Sequence, residues 1–209
     1  MMDLSDPQAG ELAHEFWRGT FGDEYHARQT VTAEANESLF RRALAFTHDI
    51  KSVAEIGAGT GLNLHAIRTI LPYAFLAGIE INAGAAAQMR AHPDIKVEEM
   101  RAQDWYPAEC YDMTMTRGLL IHIPPPDLPA VYAALVRGSR RYVLICEYFS
   151  TKLQEVEYRG NLGKLWKGPH AYDMMDRYPN LRLIDYGFQS SRDLLPQDDI
   201  NWWLLEKQV

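Results

Sequence analysis

Short apolar runs and longer periodic segments alternate along most of this chain. The short runs are rich in valine, isoleucine and leucine, which is typical of strands buried inside a parallel sheet. In most of the segments between them, apolar residues recur every three or four positions, which predicts helices with one buried face. Two further runs near the end of the chain have the pattern of antiparallel strands. The predicted strands are residues 53–56, 75–80, 95–100, 111–117, 142–146, 181–188 and 200–206, and the predicted helices are residues 11–28, 31–48, 62–71, 83–91 and 127–137.

The first predicted strand leads into a glycine turn that is followed by a helix. Gly57, Gly59 and Gly61 permit a tight turn and a close approach of a ligand to the backbone. The helix that begins at Leu62 directs free N–H groups and the positive end of its dipole toward this turn. The turn therefore predicts a binding site for a polar or anionic ligand.

Two residues around the turn argue against a dinucleotide as that ligand. The fingerprint G-x-G-x-x-G requires its third glycine where this chain has Leu62. Glu55, two residues before the first glycine, would repel a pyrophosphate and attract an ammonium group. S-adenosylmethionine (SAM) has an ammonium group and a ribose but no phosphate, so it fits this turn better than a nicotinamide cofactor does.

Acidic residues also follow the second and third predicted strands. Glu80 ends the second strand, at the distance from the glycine turn at which an acid holds both ribose hydroxyls. Asp104 follows the third strand, where a carboxylate can accept a hydrogen bond from the adenine amino group, and Trp105 could cover the adenine ring. Because ligands of open α/β sheets bind at the carboxyl ends of the strands, we expect these groups at one rim of the sheet.

With these features in this order, residues 50–150 resemble the class I SAM-dependent methyltransferases. A closer similarity, to the methylases found with pseudaminic acid biosynthesis, extends through nearly the whole chain. That family is defined largely by gene neighbourhood, so the resemblance implies a sugar-related acceptor. The segments that carry it are EFWRGTFGDEY (15–25), EYF (147–149), EYRG (157–160), LWK (165–167), DYGF (185–188) and DDINWW (198–203).

The resemblance implies an α/β, Rossmann-like fold with a seven-stranded, mostly parallel sheet, helices on both faces and an N-terminal helical lid. We expect residues 1–209 to form one methyltransferase domain. Within it, residues 11–48 would form the lid, residues 50–149 the cofactor-binding core, residues 150–180 an acceptor-recognition insertion and residues 181–209 the closing antiparallel strands.

The implied cofactor is SAM, with S-adenosylhomocysteine (SAH) as the product. In the lid, Tyr25 and Arg28 are expected to hold the methionine carboxylate, to which an arginine can bind bidentately. The complete set of expected cofactor-binding residues is Tyr25, Arg28, Glu55, Gly57, Ala58, Gly59, Thr60, Gly61, Asn63, Glu80, Ile81, Asn82, Gln103, Asp104, Trp105, Arg117 and Gly118.

Two residues near the ends of the fourth and fifth strands are candidates for catalysis. His122 follows the fourth strand, and its imidazole titrates near neutrality, so it can take a proton from a hydroxyl acceptor. A purely structural role for His122 stays open. Glu147 ends the fifth strand and is the second candidate, as a base or as a group that orients the acceptor. The expected substrate-binding residues, whose basic members suit a carboxylate or phosphate, are Trp17, Tyr148, Arg159, Lys164 and Lys167.

The composition narrows the classes of partner. A net charge of −7 and a pI near 5.5 disfavour nucleic acid and anionic membranes. The N-terminal residues lack the pattern of a signal peptide, and no apolar run is long enough to span a bilayer. Cys110 and Cys146 are expected to be free thiols, and no Cys/His cluster has metal-ligand spacing. We therefore expect a cytoplasmic monomer or homodimer without a metal.

The resulting hypothesis is methyl transfer from SAM to an oxygen or nitrogen atom of a small molecule. The expected acceptor is a pseudaminic-acid-type (nonulosonic) sugar, its precursor or its nucleotide-linked form. One alternative keeps the enzyme class and changes the acceptor to another natural-product or glycan intermediate. A second is a catalytically silent methyltransferase fold that serves as a binding subunit. An NAD-dependent oxidoreductase is disfavoured by Glu55 and Leu62.

Overall fold

The computed structural model describes residues 7–27 and 31–208 of the 209-residue chain, with side chains for residues 13–25 and 31–208. The predicted cofactor ligand Arg28 lies outside the described residues. The strands are β1 (Ser52–Ile56), β2 (Phe75–Glu80), β3 (Ile95–Glu99), β4 (Tyr111–Arg117), β5 (Ser139–Glu147), β6 (Gln154–Glu155), β7 (Trp166–Lys167), β8 (Leu181–Gln189) and β9 (Ile200–Lys207). The helices are α1 (Pro7–Arg18), α2 (Thr20–Ala27), α3 (Ala33–Ala43), α4 (Leu62–Ile70), α5 (Ala83–Arg90), α6 (Leu128–Gly138) and α7 (His170–Arg177).

Seven of the strands form one sheet in the order β3-β2-β1-β4-β5-β9-β8. The strands from β3 to β5 are parallel to their neighbours, whereas β9 runs antiparallel between β5 and β8. Helices α4, α5 and α6 connect successive parallel strands, as the alternating sequence pattern predicts. The predicted seven-stranded, mostly parallel sheet is thereby confirmed.

Side chains of the sheet pack into two apolar cores, one on each face. Strand β5 illustrates the alternation, since Tyr142 and Leu144 lie in one core while Val143 and Ile145 lie in the other, and all four are buried. Helices α3 and α4 supply residues to the first core, and α6 supplies residues to the second. Both faces of the central strands are therefore covered, which explains why these strands are nearly continuous apolar runs.

The helices before the sheet differ from the prediction in their bounds. Within the predicted helical segment 11–28, which Gly19 and Gly22 interrupt, residues 11–27 lie in two helices that meet at Gly19. Helix α3 is shorter than predicted because a turn closed by Thr47, whose hydroxyl donates to Leu44 O (2.8 Å), follows its end. Its start is capped by Thr32, which accepts a hydrogen bond from the N–H of Ala35 (3.2 Å).

Residues 150–180 contain a short hairpin and one helix. Strands β6 and β7 pair antiparallel, and α7 buries His170 and Met174. The hairpin follows β5 and therefore stands near the carboxyl ends of the parallel strands. No helix in residues 7–27 and 31–208 is long and apolar enough to cross a membrane.

Candidate active site

The glycine turn after β1 has the left-handed backbone that only glycine adopts readily. Gly57, Gly59 and Gly61 have φ angles of 76°, 56° and 87°. A Cβ atom on Gly57 would also stand 2.9 Å from the side chain of Leu119, so no larger residue fits there without a shift. The N–H of Gly57 donates to Ile79 O (2.8 Å), which binds the turn to β2.

Glu80 at the end of β2 is held by two backbone N–H groups. Its Oε1 accepts from Asn82 N (2.8 Å) and its Oε2 from Gly59 N (2.7 Å). The residue is 7% exposed, and burial raises its pKa above the ordinary glutamate value. Each carboxylate oxygen has a second lone pair, so Glu80 can still accept hydrogen bonds from two ligand hydroxyls.

A cavity at the carboxyl ends of β1, β2 and β4 contains this carboxylate; we call it the first cavity. Its empty volume is about 1060 Å³ including its mouth. The expected cofactor-binding residues that line it are Tyr25, Gly57, Ala58, Gly59, Thr60, Asn63, Glu80, Ile81, Gln103, Arg117 and Gly118. Trp17, expected to bind the acceptor, also lines this cavity.

Gln103 offers a hydrogen-bond acceptor at the side of the first cavity. Its Nε2 lies 2.6 Å from His14 Nε2, which connects it to α1. Its Oε1 is buried and has no hydrogen-bond partner among the described residues. Gln103 itself lines the first cavity, and its amide suits a ligand that brings an N–H group.

Asp104 and Trp105, predicted to hold and cover the adenine, do not line the first cavity, and we correct that expectation. The Asp104 carboxylate points to the surface and accepts from Arg101 Nε (2.6 Å). Trp105 is fully buried in the core, where its ring packs against Gly138. A single turn of 3-10 helix, Ala102–Asp104, separates β3 from Trp105 and turns the indole inward.

Glu55 does not reach the first cavity either, so its predicted contact with the ammonium group is corrected. The residue is 0% exposed, and its Oε1 accepts a hydrogen bond from Asn63 Nδ2 (2.6 Å). Burial raises the pKa of Glu55 to about 8, so that the side chain is mainly an uncharged acid at neutral pH. Its role in this structure is to hold Asn63, which does line the cavity.

Two further predicted cofactor ligands support the site from outside it. Gly61 precedes α4 and packs against Met89, where an added Cβ would be 3.1 Å away. Asn82 caps α5, since its Oδ1 accepts from Ala85 N (2.8 Å). The Nδ2 of Asn82 donates to Asp23 Oδ1 (2.9 Å) and so connects α2 to the sheet.

A second cavity adjoins the first, with an empty volume of about 1260 Å³ including its mouth. The two cavities share four residues, and the hairpin and the segment before β9 supply much of the remaining wall. The shared residues are Tyr25, Arg117, Gly118 and His122. Of the residues expected to bind the acceptor, Tyr148, Arg159 and Lys167 line the second cavity. Ligands bound in the two cavities would therefore come together beside Gly118 and His122.

His122 has one ring nitrogen engaged and the other available. Its Nδ1 lies 2.8 Å from Lys164 O, and because a carbonyl only accepts, Nδ1 must carry the proton. In the neutral ring, Nε2 then has a lone pair. Burial lowers the pKa of His122 to about 4, so the expectation that this imidazole titrates near neutrality is wrong. The ring is neutral at physiological pH, and its Nε2 is a weaker base than that of a free imidazole. The ring packs 4.3 Å from the Trp17 ring and 5.1 Å from the Tyr158 ring, centroid to centroid.

Glu147, the second catalytic candidate, lines neither cavity, and we correct its predicted role. It is 1% exposed, and its Oε1 accepts from the N–H groups of Leu119 and Leu120, both at 2.9 Å. Burial raises its pKa to about 7. Glu147 therefore holds the turn that carries His122, and a base in contact with the acceptor is not its role.

Lys164 also differs from its prediction as an acceptor ligand. Its ammonium nitrogen lies 4.8 Å from the centre of the Phe16 ring, and the residue lines neither cavity. Its contribution to the site is the backbone carbonyl that holds His122. The predicted role of the Lys164 side chain is not supported, because the sequence of a polar segment does not indicate in which direction a lysine side chain points.

The cavities also contain residues that sequence reasoning missed. His14 and Asn36 line the first cavity, whereas Tyr158 and Asp198 line the second. Tyr158 and Asp198 lie within segments that carry the family resemblance, so those segments could have identified them. His14 and Asn36 belong to helices whose sequence contains no motif for a ligand. Among the described residues, no group of three or more His, Cys, Asp or Glu side chains is arranged to hold a metal ion.

Comparison with known proteins assigns the fold. Residues 53–141 match a family model described as a methyltransferase domain. No curated protein sequence matches the chain. A SAM-bound amino pentose methyltransferase of calicheamicin biosynthesis from Micromonospora echinaspora is 12% identical, with a TM-score of 0.66 over 90% of this chain and 96% of that one.

Two further solved structures are similar over nearly their whole length. The SAM-bound magnesium protoporphyrin IX methyltransferase from Synechocystis PCC 6803 is 11% identical, with a TM-score of 0.69 over 98% of this chain and 99% of that one. The sugar N-methyltransferase from Streptoalloteichus sp. ATCC 53650 is 14% identical, with a TM-score of 0.63 over 91% and 94% of the two chains.

The seven-stranded sheet and these similarities give the chain the class I methyltransferase fold. The methyltransferase-domain match, together with neighbours crystallised with SAM or SAH, supports a SAM-dependent methyltransferase with SAM as its cofactor.

Proposed function

We propose that this protein transfers a methyl group from SAM, bound in the first cavity, to a small acceptor bound in the second. The observation that carries this proposal is the junction of the two cavities at Gly118 and His122. An in-line transfer requires donor and acceptor to approach within contact distance, and two adjoining cavities provide that geometry.

Three features of the first cavity fit SAM. Glu80 would hold the ribose hydroxyls through the free lone pairs of its carboxylate. The unpaired Oε1 of Gln103 would accept the adenine amino group, a role that we transfer from Asp104. The left-handed turn from Gly57 to Gly61 allows the backbone to approach the methionine part closely. Tyr25, Asn63 and Arg117 would surround the amino-acid end; Arg28 stays a proposal from the sequence alone.

The charge of the second cavity favours an anionic acceptor. Apart from Arg117, which lines both cavities and is assigned to the cofactor, its described lining includes the cations Arg159 and Lys167 but a single acid, Asp198, although the whole chain carries a net charge of −7. The ammonium group of Lys167 also lies over the Tyr148 ring, 5.3 Å from its centre. A carboxylate or phosphate on the acceptor would offset this local excess of positive charge.

Of the expected acceptors, these properties suit a pseudaminic-acid-type sugar or its nucleotide-linked form better than a neutral precursor. Such a sugar has a carboxylate, and its nucleotide-linked form adds phosphate. Tyr148, Tyr158 and Asp198 would provide hydrogen bonds to its hydroxyl or amide groups. The amino pentose and sugar N-methyltransferases among the structural neighbours support a sugar acceptor on this fold, although their identities of 12% and 14% carry no substrate assignment.

When bound, SAM would supply an electrophilic methyl group, whose bond to sulfur breaks as the bond to the acceptor forms, so that SAH is left. His122 Nε2 would accept the proton of an acceptor hydroxyl as the new bond forms, while Lys164 O keeps the proton on Nδ1. For an amine acceptor, the same lone pair would accept a hydrogen bond from the attacking nitrogen. Glu147 would keep the turn of His122 in position through its two backbone hydrogen bonds.

The natural-product alternative uses the same two cavities and differs only in the acceptor. It is favoured by the first structural neighbour above, which acts in calicheamicin biosynthesis. The cationic wall of the second cavity applies to it equally, so its acceptor would also carry an acidic group.

The test is a methyl-transfer assay read by mass spectrometry. The protein would be incubated with SAM and a panel containing pseudaminic acid, its neutral precursors and its nucleotide-linked form, with SAH binding measured on the same preparation by calorimetry. A single added methyl on an acidic panel member is the expected result. Transfer to a neutral precursor alone would overturn the anionic acceptor. SAH binding without any methyl transfer would exclude the panel members as acceptors and favour the natural-product alternative. Absence of both SAH binding and methyl transfer would refute the proposed methyltransferase activity.

A further inference from the structure

Four polar side chains from four different segments close a hydrogen-bonded ring beside the junction of the two cavities. Asn63 Oδ1 accepts from Asn36 Nδ2 (3.2 Å) and from Arg117 Nη1 (3.5 Å). Asn36 Oδ1 accepts from Gln197 Nε2 (3.0 Å), and Arg117 Nη2 donates to Gln197 Oε1. We call these four residues the amide ring.

The donors and acceptors of the amide ring are determined by chemistry. A guanidinium only donates, so Asn63 Oδ1 and Gln197 Oε1, which face Arg117, must be the oxygens of their amides. The Nδ2 of Asn63 then points to Glu55 Oε1, at 2.6 Å. Each amide has one orientation that satisfies its neighbours, and the ring therefore holds the Arg117 side chain in a defined position.

Within the amide ring, Gln197 differs from Arg117 in its access to ligand. Arg117 lines both cavities, whereas Gln197 is 3% exposed and lines neither. The Nη1 and Nη2 atoms of Arg117 each use one N–H within the ring and carry a second, so the guanidinium can still donate to a ligand. Any influence of Gln197 on a ligand must therefore act through the side chains that it holds.

We propose that Gln197 is a positioning residue that holds the Arg117 guanidinium at the junction of the cavities for the carboxylate of the bound cofactor. The proposal rests on the proposed function, and the carboxylate is the only anionic group of SAM and SAH. A mobile arginine side chain has several rotatable bonds, and it loses conformational entropy when it binds an anion. An arginine that Gln197 and Asn63 already hold in position loses less conformational entropy, so it binds an anion more tightly.

The competing explanation is that Gln197 only anchors the segment between β8 and β9. Gln189 allows the two to be separated because it anchors the same segment, through a hydrogen bond from its Nε2 to Leu195 O. Gln189 is 1% exposed, like Gln197 a buried glutamine, but none of its described hydrogen bonds involves Arg117. Gln189→Met is therefore a matched control for Gln197→Met.

The experiment measures SAH binding by titration calorimetry in the full-length protein. Gln197→Met keeps the length of the side chain and removes both hydrogen bonds, and we expect about ten-fold weaker binding. In an Arg117→Met background the same change should have no further effect, because the residue through which it acts is gone. Gln189→Met should bind SAH as the wild type does. Circular dichroism would establish that each variant is folded.

The outcomes separate the proposal from its alternatives. Unchanged binding by folded Gln197→Met would overturn it, and so would an equal loss in Gln189→Met or a full additional loss in the Arg117→Met background. If Gln197→Met does not fold, Gln197→Asn is the second variant, because it retains the amide but is too short to reach Arg117. It should bind SAH about ten-fold more weakly than the wild type. Wild-type protein that binds no SAH would instead refute the proposed function, which is a different result.

Discussion

Replacement of Glu80 by alanine is the most direct test of the first cavity. Glu80 is 7% exposed, so little water competes for the two lone pairs that its backbone partners leave free. Loss of two charge-assisted hydrogen bonds to ribose hydroxyls, net of the water that fills the space, should weaken SAH binding by about 1–3 kcal/mol. This corresponds to a Kd about 5 to 150 times higher.

The assay is calorimetric titration of SAH into wild-type protein and Glu80→Ala. Glu99→Ala is a matched control, since Glu99 ends the neighbouring strand β3 directly opposite Glu80 but is an exposed partner of Arg90. Its SAH affinity should equal that of the wild type. Equal affinity of folded Glu80→Ala and wild-type protein would refute the ribose assignment, and an equal loss in both variants would show that the effect is not specific to the cavity.

Three further predictions concern the buried acids and the imidazole. His122→Ala should lower kcat for a hydroxyl acceptor by about 100-fold while SAH affinity stays within about three-fold, and an unchanged kcat would exclude a base at Nε2. Glu147→Gln retains an acceptor for the N–H groups of Leu119 and Leu120, so its kcat should stay within about five-fold of wild type. Glu147→Ala removes that acceptor, and its free energy of unfolding, measured in urea, should be about 2–4 kcal/mol lower than that of the wild type. Burial raises the pKa of Glu55 to about 8, so its contribution to stability is complete below pH 4.5 and is lost as the pH rises through 8; the Tm should fall across that range, and Glu55→Gln should flatten the fall.

The pattern of apolar residues was sufficient for the sheet and for most of its helices. Strands inside a parallel sheet are apolar on both faces, and the largely apolar runs at 53–56 and 142–146 predict such strands directly. The start of α4 at Leu62 and the cap of α5 by Asn82 also follow from local rules. Gly19 and Gly22 both interrupt the helical pattern of residues 11–28, but only Gly19 separates two helices, because a glycine within a helical pattern often leaves the helix intact.

The contents of the cavities could be predicted only where a motif fixes both the position and the direction of a side chain. Glu80 and the glycine turn meet that condition, since the motif includes the strand end and the left-handed turn. Trp105 does not, because one residue more or less in the preceding turn decides whether the indole points into the cavity or into the core. Asn36 and Gln197 are far apart in the sequence and meet only because α3 packs beside the segment before β9.

The three glutamates at the rim of the sheet show why residue type alone does not define a ligand-binding acid. Glu80 and Glu147 end their strands and Glu55 is the last residue but one of β1, and their exposed fractions are 7%, 1% and 0%. Burial raises the pKa of all three, yet only Glu80 lines a cavity. The other two direct one oxygen to the group they hold, Asn63 in one case and the turn of His122 in the other. An acid at this rim therefore either binds a ligand or positions the residue that does, and whether the folded chain places its carboxylate in a cavity decides between the two roles.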